Sequence, residues 1–123
     1  MILVDTSVWV DHLRSGNAAL DRALEGGQIL GHPWVTGELS LGQLGRREEI
    51  VELLHGLSQA TVATPDEVQT AIERLHLPGS GIGYVDAQLL TATMLTPDSM
   101  LWTADRRLRT VAMRTGLEFS PEM

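Results

Sequence analysis

Hydrophobic and polar positions along the chain follow two different periods, and the switches between them mark out the elements. Ile2 to Val4 is a short, apolar, β-leaning run that ends at once in Asp5, the pattern of a buried strand. Beyond it Thr6 or Ser7 can cap a helix that carries Val8, Trp9 and Leu13 toward Arg14, and Ser15-Gly16-Asn17 breaks it. Ala18 to Glu25 has helical spacing again, with Leu20, Ala23 and Leu24 on one side, and Gly26-Gly27 stops it. Gln28 to Gly31 reads as a short strand. Pro33 suits the first turn of a helix continuing through Val35, Leu39 and Leu41 to about Gly45. After the Arg46-Arg47 junction another helix starts at Glu48, with Ile50, Val51, Leu53, Leu54 and Leu57 expected inside.

The second half repeats the alternation. Ala60 to Ala63 reads as a strand, and Thr64-Pro65-Asp66-Glu67 as a helix start whose inward face is Val68, Ala71, Ile72 and Leu75. Leu77 to Gly83 is the loosest stretch, and it reads as a loop inside one domain because the segment beyond it is too short to fold alone. A helix from about Tyr84 to Leu95 carries Asp86 in its first turn, Thr96-Pro97-Asp98 is a turn, and Met100 to Thr103 is a buried strand. Asp105 opens a last helix toward Gly116, and Glu118 to Ser120 reads as an edge strand. Strands alternating with helices predict an α/β layer fold with a mainly parallel sheet, and active sites of such sheets lie beyond the carboxyl ends of the strands. Asp5 and Asp105 each stand just past such an end.

Composition narrows the function. The 123 residues match the size of a single domain, 1–123, and 43% hydrophobic content with mean hydropathy near zero describes a globular chain with a core. The absence of cysteine excludes disulfides and thiolate zinc sites and fits a reducing compartment. The N-terminus lacks a basic leader and meets a carboxylate at once, so no signal peptide is expected. No apolar run approaches a membrane span, which points to the cytoplasm and to no membrane partner. The basic residues are nine arginines and no lysine. That excludes a P-loop NTPase, a receiver-type acid pocket with its usual lysine, and any Schiff-base chemistry. A net charge of −7 disfavours nucleic-acid binding by charge alone, so an RNA ligand would need a local basic patch or bridging metal ions.

The chemistry on offer is carried by acids. If the strands before Asp5 and Asp105 are neighbours, both carboxylates enter one cleft, and Asp86 gains from the positive end of its helix dipole. Glu38 lies on a helix where Val35 and Leu39 face inward, at the edge of the buried face. Clustered carboxylates raise one another's pKa unless a cation neutralises them, and an all-oxygen set selects Mg²⁺ or Mn²⁺. Such an ion can activate water for phosphodiester hydrolysis. The plainer alternatives stand beside this: Asp105 as a helix cap, Glu38 as a solvated helix residue. Arg106, Arg107 and Arg109, with Arg14 and Arg46-Arg47, are candidate phosphate contacts or simply solvated faces. Trp9, Trp34 and Trp102 read as core or partner contacts ahead of base-stacking platforms, and His32 as structural at a helix start. Gly79 to Gly83 lacks the context of a dinucleotide-binding loop.

Four segments that carry these acids resemble the PIN-domain nucleases, and among them the VapC-type toxins of bacterial toxin–antitoxin pairs. They are Ile2-Leu3-Val4-Asp5-Thr6-Ser7-Val8-Trp9, His32-Pro33-Trp34-Val35-Thr36-Gly37-Glu38-Leu39, Gly81-Ile82-Gly83-Tyr84-Val85-Asp86-Ala87 and Leu101-Trp102-Thr103-Ala104-Asp105-Arg106-Arg107-Leu108. They occur in the family's order and span nearly the whole chain. The resemblance implies a three-layer PIN-like fold, a mainly parallel central β-sheet flanked by α-helices, with an acidic quartet that binds one or two Mg²⁺ or Mn²⁺ ions. On that basis Asp5 and Asp86 are the principal metal ligands, Glu38 completes the site directly or through water, and Asp105 is the fourth acid. Thr6 or Ser7 and Thr103 match hydroxyl positions near the site, with helix capping the competing role. Arg14, Arg106 and Arg107 are candidate RNA-phosphate contacts. The resemblance further implies endonucleolytic cleavage of RNA (tRNA or rRNA) that inhibits translation and growth, a small VapB-like antitoxin partner, a homodimer, and a bacterial cytoplasmic location. Two other readings stay open: a PIN-like nuclease acting on other structured nucleic acid, and a catalytically weak module that binds RNA or protein.

Overall fold

Four short strands, β1 (Ile2–Val4), β2 (Ile29–Gly31), β3 (Ser58–Gln59) and β4 (Met100–Trp102), pair in parallel in the order β3-β2-β1-β4 in the computed structural model, which describes residues 1–121. The seven helices among the described residues are α1 (Thr6–Ser15), α2 (Ala18–Glu25), α3 (Pro33–Ser40), α4 (Arg47–Gly56), α5 (Pro65–Arg74), α6 (Tyr84–Leu95) and α7 (Arg106–Arg114). Together they make the expected three-layer α/β arrangement. β1, β2 and the inner part of β4 are buried because each is a run of large apolar residues, as strands covered on both faces must be. Leu3, Val4, Leu89, Leu90 and Leu101 lose all contact with solvent and join Trp9, Leu20, Val68 and Leu108 in one continuous core. None of the described helices is long and apolar enough to cross a membrane.

The strand order has a functional consequence. Successive strands build outward from β1 through β2 to β3, and the chain then returns to place β4 on the opposite side of β1. The reversal opens a crevice at the carboxyl ends of β1 and β4, the usual ligand position in an open parallel sheet. Asp5 and Asp105 follow those two strands.

Local chemistry sets most helix starts. Asn17 accepts the Leu20 amide at 3.0 Å, and Thr64 and Glu67 close a reciprocal capping box on α5. His32 caps α3 by accepting the Trp34 amide through Nδ1 at 3.0 Å; the ring is fully buried, and desolvation lowers its pKa, so it stays neutral. α6 is buried on all sides from Ala87 to Thr93. Its threonines fit there because the Thr91 and Thr93 hydroxyls donate to the Ala87 and Leu89 carbonyls at 2.7 and 2.8 Å.

Several boundaries differ from expectation. α3 ends at Ser40, short of Gly45: the Ser40 hydroxyl donates back to the Thr36 carbonyl at 2.7 Å, and the glycine-flanked segment beyond does not sustain a helix. β3 is Ser58–Gln59 in place of Ala60 to Ala63; it is a polar edge strand held by backbone pairing to Leu30 and Gly31, while Ala60 and Ala63 are buried as small residues beyond it. On α4 only Leu54 is buried, and Leu53 is half exposed. Glu118 makes a single parallel bridge to Leu101, with Leu101 and Phe119 amides bonding across it, and no longer strand forms. Thr6 and Ser7 are not caps but lie in the first turn of α1, with Asp5 at the cap position.

Leu101→Ala is expected to destabilise the fold by about 2–5 kcal/mol in urea denaturation, through a cavity in the sheet core. Leu53→Ala should stay within about 0.5 kcal/mol, because its side chain already meets solvent.

Candidate active site

Asp5 ends β1 as a buried carboxylate, and its Oδ2 accepts two hydrogen bonds of 2.7 Å, one from the Ser7 hydroxyl and one from the Thr103 hydroxyl. The two hydroxyls also face each other at 3.4 Å, and each accepts a backbone amide just beyond β4: Ser7 from Ala104 and Thr103 from Asp105, both at 3.0 Å. This small network joins the ends of β1 and β4 and aims one oxygen of Asp5 at the crevice wall. The hydroxyls singled out in the sequence therefore serve the acids and not the helix ends. Thr6 does the same for Glu38, donating to Oε1 at 2.7 Å from the first turn of α1 to the exposed acid on α3.

Asp86 lies in the first turn of α6, where the Gly83 amide donates to its Oδ2 at 3.4 Å. Its pKa is raised to about 6, first by partial burial and next by the charge of Asp5, against the opposing help of that amide; Asp105 and Glu38 raise it further. The other three sequence-predicted acids thus all act electrostatically on Asp86, although the four come from different places in the chain. Asp105 also caps α7, accepting the Leu108 amide through Oδ1 at 2.9 Å, so cap and cleft residue are compatible roles for it.

Among the described residues no three acids or histidines stand close enough to form a ready-made metal cage. Mg²⁺ takes only one or two carboxylates directly and fills its remaining positions with water. The donor set is all oxygen and carries excess negative charge, the chemistry that fits a hard divalent cation.

The PIN domain family matches residues 2–113 of the chain, which takes in all four acids. The chain belongs to the PIN-domain family. It is also 42% identical over its full 123 residues, and over 99% of theirs, to Ribonuclease VapC32 of Mycobacterium tuberculosis strain H37Rv and to the protein of the same name from strain CDC 1551 / Oshkosh. This PIN domain is therefore of the VapC type.

The remaining candidates divide. Trp9 and Trp102 are core residues, whereas Trp34 is 39% exposed and meets the 48% exposed Tyr84 edge-on at 5.9 Å. Arg14 lies away from the acids, lining a concavity of about 860 Å³ whose apolar wall is Val10, Leu13, Ile50 and Leu53. Arg109 is paired with Glu118 at 2.9 Å. Arg106 and Arg107 are exposed directly beyond Asp105.

The raised pKa of Asp86 makes stability depend on pH in a defined direction. Below the unfolded value of 3.8 the carboxyl is neutral in both states; as pH rises through about 6, folding has to accommodate a charge that the unfolded chain accepts more readily. Without divalent cations, Asp86→Asn should be more stable than the parent at pH 7.5, on the order of 1–2 kcal/mol after solvent screening, and the advantage should vanish by pH 4. Denaturant midpoints of both proteins across that range test the sign.

Proposed function

We propose that the chain is a metal-dependent endoribonuclease, the toxin of a VapBC-type pair, folded as one PIN domain over residues 1–123 and acting in the bacterial cytoplasm. The observation that carries this reading is that Asp5, Asp105 and Glu38 all lie near enough to Asp86, at the sheet's switch point, for their charges to raise its pKa. RNA as substrate is supported by the name of the relatives, which are ribonucleases, at 42% identity over the full length. The same name supports a small VapB-like antitoxin as partner, and we extend the proposal to a homodimer and to tRNA or rRNA as the RNA cut.

In this proposal Asp5 and Asp86 hold Mg²⁺ or Mn²⁺, with Glu38 and Asp105 completing the set directly or through water. Bound there, the ion supplies Lewis-acid neutralisation of a phosphodiester and a more acidic attacking water. The chain's own contribution is orientation. Ser7 and Thr103 hold one oxygen of Asp5 and leave the other free. Thr6 steers Glu38 across from α3, and the Gly83 amide fixes Asp86 at the start of its helix. Such outer partners keep ligands in a productive rotamer. Arg14, Arg106 and Arg107 are proposed to contact RNA phosphates.

Purified protein should cut RNA with Mg²⁺ or Mn²⁺, and Asp5→Asn or Asp86→Asn should reduce cutting by at least about 100-fold while the circular dichroism spectrum is kept. Cleavage that persists in EDTA would remove the metal from the mechanism, and a preference for DNA would move the reading to another structured nucleic acid. Thr103→Val leaves all four acids in place. Its expected effect is a metal affinity lower by about 10–100-fold, measured by titration calorimetry with Mn²⁺.

A further inference from the structure

The arginines are unevenly spread over this acidic chain, and four of the nine lie on α7. Arg109 is held by Glu118. The other three, Arg106, Arg107 and Arg114, line one concavity of about 380 Å³ together with His76, Ser80 and Thr110. No carboxylate lines it, and among the described residues none of these three arginines forms an ion pair. Positions 106, 110 and 114 repeat every four residues, with 107 beside them, so the cations share one face of the helix over about 12 Å of its length. The Thr110 hydroxyl is already engaged with the Arg106 carbonyl at 3.0 Å, which leaves the guanidinium groups as the main binding chemistry, with the Ser80 hydroxyl and the His76 ring beside them.

Two further observations separate this face from an ordinary solvated one. Arg106 and Arg107 stand next to each other in the first turn of α7, where the capping Asp105 has one oxygen taken by the Leu108 amide and pairs with neither arginine among the described residues. Adjacent like charges repel, and a bound anion relieves that repulsion. In addition, Gly81, at φ +86°, makes room for Arg107: a Cβ there would come within 2.8 Å of Arg107 Cδ and 3.1 Å of its Nε. The loop therefore lies directly against the Arg107 side chain.

We propose that this trough binds the phosphates of a single-stranded RNA substrate as the strand passes from the acid cleft along α7. The inference rests on the ribonuclease reading above. Asp105 caps the helix that Arg106 opens, so a strand leaving the acids meets the guanidinium groups at once. Guanidinium forks match phosphate oxygens, and the trough offers no large apolar side chain to anchor a protein segment.

The test is anisotropy of a fluorescein-labelled single-stranded RNA with the full-length protein in EDTA, read as Kd against salt. Replacing Arg106, Arg107 and Arg114 together by Gln should raise Kd at least roughly tenfold and lower the salt slope by about 2, since each phosphate contact on a single strand contributes about 0.7. Arg22→Gln on α2 is compared with each single Arg→Gln change in the trough, so that net charge is matched, and should leave both unchanged. Gly81→Ala keeps every charge but displaces Arg107, and should weaken binding by a smaller factor; circular dichroism checks both folds. With Mg²⁺, the triple variant should lose activity on the same single-stranded RNA through KM and keep its kcat.

An unchanged Kd and slope in the triple variant, or no RNA binding by the parent, overturns the trough even where the parent cuts RNA. If the triple variant loses a VapB-like partner but keeps its RNA affinity, the surface belongs to protein and the proposal falls. A parent that binds RNA through these arginines yet never cuts it refutes the nuclease reading and leaves the trough standing.

Discussion

Val4 pairs with Trp102 across the β1–β4 ladder, and the Asp5 amide extends that ladder by donating to the Trp102 carbonyl at 2.9 Å. The rest of the cleft depends on this register. It sets Asp5 beside Thr103, 98 positions away in sequence, and lets Ser7 reach the Ala104 amide from the far side. A slip of one residue in β1 would exchange the layers into which Ile2, Leu3 and Val4 pack and turn the Asp5 carboxylate to the other face of the sheet. The apolar strands therefore protect the chemistry as well as the fold: the burial that fixes the register also fixes the acids.

The acids themselves act against folding. Asp86 is held at a helix start among three other carboxylates and keeps its proton to about pH 6, so at neutral pH the protein carries a local strain that the core must offset. The surrounding design limits the damage. α6, which bears Asp86, is buried along most of its length and its buried threonines bond to its own carbonyls, and Asp5 and Glu38 each have a hydroxyl donor. Stability given up at a functional site and recovered in an adjacent core is the general pattern.

What could be read from the sequence tracked the strength of the local signal. β1 and β4 were legible because a strand covered on both faces must be an unbroken apolar run, and Asp5 and Asp105 were legible as their end residues. β3 was not, since an edge strand of Ser58 and Gln59 is held by main-chain bonds that any residue could make. The apolar period led past the true end of α3 because Leu41 continues it, although its side chain is 90% exposed. Glu38 is legible mainly through family resemblance: its helix places it at the edge of the buried face, but nothing in one helix says which polar residue faces another segment. The hydroxyls of Ser7 and Thr103 stood out, but their partner is fixed by a long-range pairing that local pattern does not encode. Arg114 was passed over, although its spacing from Arg106 and Thr110 was visible.

The late position of β4 gives the cleft an order of assembly. Asp5 and Glu38 lie in the first third of the chain, but the Thr103 hydroxyl and Asp105 arrive only with the last quarter, and Asp5 remains unclamped until β4 docks beside β1. Contacts spanning nearly the whole chain are slow to form, because loop closure precedes the reward of packing. During synthesis from the N-terminus, a growing chain therefore carries its first acids for most of its length without a finished site. Any chain that stops before Met100 retains Asp5, Glu38 and Asp86 and still lacks the strand that holds the first of them in place.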